Sequence, residues 1–254
     1  LLVGLSAAAA LYPKLSFPAV FFAVVGLVTM GPSKQTRVLV AVSCALSAVG
    51  LLRFVLEEAI PGVLAGGRAA IEKQAVSYCR TLVTAQDHAR SKAYFDPDRD
   101  GVGSALALDE LAGLAPLPTG NPLSEPPLAL AQGEFRETAL GPAVRQAGYL
   151  VAVCLPALDG TFSRAAAERD PERAEREFRI FAWPETLGAG SPTTAYFADA
   201  NETILELPGS ASPRYVGATR PPACDAVTQD GDWQRWKDKA PRDELPGDSS
   251  ARAD

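Results

Sequence analysis

The chain has 254 residues, 24 basic and 30 acidic side chains and a net charge of −6. It carries no Lys/Arg cluster of the kind that neutralises phosphates, which excludes nucleic acid as a partner. One histidine and four cysteines, none in a C-x-x-C pair, leave no thiolate zinc site to expect. The charge is unevenly spread. Before Arg53 the only charged residues are Lys14, Lys34 and Arg37, so the two ends of the chain are suited to different environments.

The opening residues are apolar in three blocks. Leu1 to Tyr12, Leu15 to Met30 and Val38 to Leu52 are separated by Pro13–Lys14 and by the polar turn Gly31–Arg37. A helix needs roughly 17–25 apolar residues to cross a bilayer core, and the last two blocks approach that length with their flanks. Several apolar blocks around a basic turn do not fit a cleaved signal peptide, and the blocks lack the polar face of a globular surface helix. The spacing therefore predicts two or three transmembrane helices over residues 1–55, with the lipid bilayer as a partner. Lys34 and Arg37 place their turn in the cytoplasm by the positive-inside tendency, so the chain beyond Arg53 emerges on the outer face. Because the chain opens on Leu1 rather than Met, the N-terminus is read as incomplete.

Residues 56–92 form the next predicted element. Ile71, Ala75, Cys79 and Leu82 recur at helical spacing, and Ala85 and Ala89 extend the stripe. Glu72, Lys73, Arg80, Asp87 and Arg90 occupy other faces. This is an amphipathic stalk helix with one packed side. Pro61 and Gly66–Gly67 are expected to kink or interrupt it.

Residues 93–215 are predicted to form an outer domain. It opens on the acidic turn FDPDRDGVGS and the short helix LALDELAGL, followed by a broken Pro/Gly-rich stretch from Pro116 to Pro127. Four strand-like runs follow: Gly148–Pro156, Glu177–Pro184, Thr193–Asp199 and Glu202–Leu207, the last two forming a hairpin. The charged insert Arg164–Arg176 reads as a solvated loop with some helix. Residues 216–254 read as a polar tail, disordered from Pro241 onward, with Cys224, Trp233 and Trp236 available to touch the domain. The expected fold class is α+β: transmembrane helices leading into a stalk helix packed on a small antiparallel sheet of about four strands, around one shared core.

These residues carry a resemblance. A stalk helix ends in a D-x-D-x-D-G-x-G turn (Asp96, Asp98, Asp100, Gly101, Gly103). It is followed by a G-Y-x-x-x-V strand (Gly148, Tyr149, Val153), an AWP strand (Ala182, Trp183, Pro184) and an A-x-F-x-D strand (Ala195, Phe197, Asp199). Over most of residues 15–207 the order resembles the type IV pilin-like, or pseudopilin-like, ectodomain proteins of bacteria, here behind a small multi-span membrane module. The chain departs from true pilins in lacking the glycine, aromatic residue and early glutamate of a prepilin peptidase site. The resemblance implies a multi-pass protein of the bacterial inner membrane with its C-terminal domain on the periplasmic side.

The acidic turn is the strongest chemical feature. Alternate carboxylates followed by glycine can wrap a hard cation, and Asp96, Asp98, Asp100 and Gly101 match positions 1, 3, 5 and 6 of an EF-hand loop. The Val102 carbonyl stands at position 7. Position 12, normally a bidentate Glu, is Ala107, and Asp109 and Glu110 are the nearby substitutes. These residues make Ca2+ the cofactor to consider, against the plainer reading of an Asp-rich turn that joins two helices. His88 beside Asp87 is not a catalytic pair, because neighbours on a helix point apart. Gly209–Ser212 lacks the pattern of a nucleophile elbow. Cys79, Cys154 and Cys224 are disulfide candidates, with the pair left open, and Cys44 lies in an expected span.

The sequence thus predicts a non-catalytic structural or interaction protein whose partners are other envelope or membrane proteins. The alternative is a sensor that binds a cation or small ligand.

Overall fold

The structure is a computed structural model. It describes residues 48–237 apart from 50, 51, 54, 121, 131–133, 189, 210, 211 and 230. The expected spans, the basic turn and Cys44 lie wholly or mostly outside the described residues. The chain divides into two compact units, Leu1–Ala70 and Ile71–Asp254.

Helix α1 runs from Ile60 to Ser91 and follows a π-helical turn, Val55–Ala59. Pro61 stands two residues after that π-helical turn, inside a continuous helical run, where its missing N–H removes one backbone hydrogen bond without ending the helix. The helix runs on through Gly66–Gly67 rather than breaking there. Beyond Ile71 one stripe is buried: Ala75, Val76, Cys79, Leu82, Val83 and Ala89. At the C-terminus the carbonyls of His88, Ala89 and Arg90 accept from the amides of Lys92, Tyr94 and Gly103, so the orphan groups of the last turn are satisfied.

The predicted membrane architecture is corrected here. No helix among the described residues is long and apolar enough to cross a membrane. Helix α1 has the length, but it carries Arg68, Glu72, Lys73, Arg80, Asp87 and Arg90. A multi-pass placement in an inner membrane, with the C-terminal domain outside it, is therefore not supported.

The predicted sheet is also too small. After α2 (Leu108–Leu111) come β1 (Phe135–Thr138), β2 (Gly141–Gln146), β3 (Tyr149–Pro156), β4 (Phe162–Ser163) and α3 (Pro171–Ala174). Then follow β5 (Arg179–Pro184), β6 (Ala195–Asp199), β7 (Ile204–Leu207), α4 (Ala226–Gln229) and β8 (Gln234–Arg235). They form one antiparallel sheet of eight strands in the order β1-β2-β3-β5-β6-β7-β8, with β4 also paired to β3. The four strands absent from the sequence-based reading have a shared reason. β1 and β2 read FRET and GPAVRQ, polar or rich in Gly and Pro, and β4 and β8 are two residues each. None carries an apolar alternation long enough to register.

The core is two-sided. In β3 all eight residues are buried, because both faces of the sheet are covered. Tyr149, Val151, Val153 and Leu155 join Ile180, Ala182, Tyr196 and Ala198 beneath α1. Leu150, Ala152 and Cys154 point the other way, with Phe181, Trp183 and Phe197, toward Tyr215, Cys224 and Trp233. The segment 216–236, read from sequence as the start of a polar tail, covers this second face with Cys224 and Trp233 and supplies β8.

Leu82 is completely buried between α1 and the sheet. Leu82→Ala in the full chain should lower stability by about 2–5 kcal/mol, read as a lower urea midpoint with an unchanged slope. A negligible loss would show that this stripe of α1 does not pack on the sheet.

Candidate functional site

The acidic turn forms a closed loop between α1 and α2. Ser104 N donates to the Phe95 carbonyl and Gly103 N to that of Arg90, both at 2.8 Å. Gly101 adopts φ +91°, and Arg99 is also left-handed at φ 63°. Gly103 is required for another reason: a Cβ there would lie 2.8 Å from the Ala93 Cα and 3.1 Å from two helix carbonyls. Of the two glycines in D-x-D-x-D-G-x-G, one makes the bend and the other lets the loop close on the helix end.

Backbone amides orient the carboxylates. Asp96 Oδ1 accepts from Arg99 N at 2.7 Å and Asp96 Oδ2 from Gly101 N at 3.0 Å. Asp98 Oδ1 accepts from Asp100 N at 3.2 Å, and Asp100 Oδ1 from Val102 N at 2.7 Å. One oxygen from each of the three aspartates lies within 4.8 Å of the others. Partial burial works against ionisation of Asp96. The Gly101 amide, the Asp98 side chain and the Arg99 and Asp100 amides outweigh it, so its carboxyl sits below the ordinary carboxylate range. This is a convergent oxygen cluster with hard-cation chemistry. Val102, the expected carbonyl ligand, is exposed beside it. Of the nearby substitutes for position 12, Asp109 accepts from the Glu110 amide. Glu110 is buried in an ion pair with Arg169 at 2.7 Å and also accepts from Ala107 N.

The charged insert carries the expected short helix, α3, but it is solvated only in part. Arg169 donates to the Ala105 carbonyl at 3.0 Å and lies 4.6 Å from the centre of the Phe95 ring. It thereby grips both ends of the acidic loop. Ser104 Oγ donates to the Pro171 carbonyl and Ala105 N to that of Ala174, each at 2.9 Å. Glu175, the next residue, is 8% exposed. Sequence reasoning missed Glu175 and Arg169, since a run of alternating charge carries no local sign that two of its members are buried.

The remaining sequence candidates separate. Cys154 and Cys224 are joined in a disulfide, and Cys79 is a free buried thiol. Burial pushes the Cys79 thiol up to about 12, so it is inert near neutral pH. His88 meets the Tyr94 hydroxyl at 3.4 Å, and Asp87 pairs with Arg90. A groove of about 630 Å³ beside the disulfide is lined by Phe162, Arg164, Arg173 and Arg179. Its arginines are already engaged. Arg164 donates to Thr138 and to the Pro222 carbonyl, and Arg179 donates to the Cys224 carbonyl and lies 3.8 Å from the centre of the Phe162 ring. Burial lowers Arg164 to about 10.

Compared with family models, with curated proteins and with solved structures, the chain matches none. Nothing therefore identifies it as pilin-like. The pilin and membrane-protein descriptions expected from the sequence are withdrawn.

The disulfide spans 70 residues and ties the segment over the second sheet face to the central strand. Replacing both Cys154 and Cys224 with Ser should cost about 2–5 kcal/mol, and a reductant should lower the melting temperature of the wild type but not of the variant. Equal melting of wild type and variant without reductant would contradict this role.

Proposed function

We propose that the chain is a non-catalytic structural and interaction protein: a disulfide-stapled α+β body that engages a second copy of itself through the exposed N-terminal part of its long helix. The observation that carries this reading is an apolar stripe. Leu56, Ile60 and Val63 are 57%, 44% and 75% exposed, and they recur at the four-and-three spacing of a helix–helix seam. Large exposed apolar surface of this kind marks an interaction site. Further support comes from the polar groups of the body. Gln86, Arg164 and Arg169 are buried and committed to holding segments together, as in a scaffold. The disulfide fits a protein that matures in oxidising surroundings.

A second reading rests on a specific observation, the convergence of Asp96, Asp98 and Asp100. On this reading the domain binds a divalent cation through the acidic loop.

The self-association reading is tested by the mass of the full chain in solution. The wild type should be dimeric, and a Leu56→Glu/Val63→Glu variant monomeric with an unchanged melting temperature. A monomeric wild type, or a variant that remains dimeric, would overturn it.

A further inference from the structure

Two arginines of the body are buried, Arg164 and Arg169, at 6% and 5% exposure. Their partners differ. Arg169 meets the Glu110 carboxylate at 2.7 Å. Arg164 has no carboxylate partner among the described residues. Its two terminal nitrogens donate to the Thr138 hydroxyl and the Pro222 carbonyl, both neutral acceptors, and its Nε is buried with no acceptor at all. The Trp183 ring, 5.2 Å away, attracts the cation but brings no charge. A buried guanidinium without a counter-charge is costly.

The same residue lines the groove of about 630 Å³ beside the disulfide, a volume within the range of small-molecule sites. Three arginines and two acids line that groove, in a chain of net charge −6. Both acids are engaged: Glu177 pairs with Arg173 at 3.1 Å, and Asp225 accepts from the Gln229 side chain. Arg179 donates to another neutral acceptor, the Cys224 carbonyl, at 2.8 Å. Burial lowers the pKa of Arg179 against the pull of Glu177, Asp225 and Asp199, whereas on Arg164 burial acts alone. The unmet charge is therefore greatest at Arg164. A cleft lined by surplus charge of one sign concentrates ions of the other.

We propose that this groove binds a small organic anion, whose carboxylate or phosphate group supplies the counter-charge that Arg164 lacks, with Arg179 as the second cation. Guanidinium groups suit both headgroups. Leu140, exposed in the groove lining, offers an apolar contact to the rest of the ligand. The site is independent of the helix stripe and of the acidic loop. Because Arg164 also holds the Pro222 carbonyl, binding stabilises the segment that covers the second sheet face.

The test is titration calorimetry and thermal unfolding of the full chain with succinate and with glycerol 3-phosphate, each against sodium chloride at equal ionic strength. The wild type should bind at least one of the two at a single site and melt about 2 °C or more higher at about 10 mM. The probe that binds identifies the headgroup. Arg164→Gln and Arg179→Gln should each weaken that binding at least tenfold. Arg145→Gln, which changes an exposed arginine outside the groove, should bind like the wild type. No heat and no melting shift beyond that of chloride, with either probe, would overturn the proposal. Unchanged affinity in Arg179→Gln would also overturn it, and that arm holds even should Arg164→Gln fail to fold. An equal loss in Arg145→Gln would reduce the effect to general surface attraction and overturn the site.

Discussion

One guanidinium holds the acidic loop in place. Arg169, 5% exposed, makes two hydrogen bonds to Glu110 and one to the Ala105 carbonyl, and lies over Phe95. Phe95 enters the loop, Ala105 leaves it, and Glu110 belongs to the helix that follows. Burying two charges costs several kcal/mol per ion before their attraction is counted. The cost is offset here by two-point Arg–carboxylate geometry and by additional partners for both groups. Glu110 also accepts from Ala107 N and caps α2. Removing either charge would leave the other buried and unpaired.

The rest of the architecture gives this pair its setting. Helix α1 ends where the loop begins, and Gln86 on its buried face exchanges two hydrogen bonds with the Leu106 backbone, at 2.7 and 2.8 Å. The loop is therefore fastened to α1 by Gln86 and to the segment around α3 by Arg169. Both elements rest on a sheet whose two faces are covered. The face opposite α1 depends on a segment far along the chain, which the Cys154–Cys224 disulfide holds against β3. A rigid platform of this kind is what a binding loop needs, because convergent carboxylates must be held against their own repulsion.

Much of this was legible in the sequence where periodicity was long. The stripe from Ile71 to Ala89, the apolar run at 149–156 and the hairpin of β6 and β7 all stand out by spacing. The D-x-D-x-D-G-x-G turn was legible because side-chain oxygens at alternate positions and glycines at fixed places have a local meaning. What could not be read was non-local. Glu175 and Arg169 lie in a charged run whose burial is decided by what packs on it. The edge strand β1, its neighbour β2 and the two-residue strands β4 and β8 owe their state to pairing, not to their own residues. The two-sided core did leave a trace, since an unbroken apolar strand is the mark of a sheet buried on both faces. Parity along β3 also separates the cysteines: Cys154 faces away from α1, whereas Cys79 sits on α1 and packs against the opposite face of the sheet. The apolar opening has a membrane-like composition, but it lies almost entirely outside the described residues. The long helix that is described carries too much charge to cross a bilayer.

The claim that a buried ion pair organises the loop is tested most directly by a double-mutant cycle on Arg169→Met and Glu110→Gln, read by urea unfolding of the full chain. Each single variant should lose roughly 3–5 kcal/mol, the cost of stranding one buried charge, and the double variant should lose far less than the sum. Additive losses would show that the two side chains act independently, and the account of the loop as an assembly pinned by one arginine would fail.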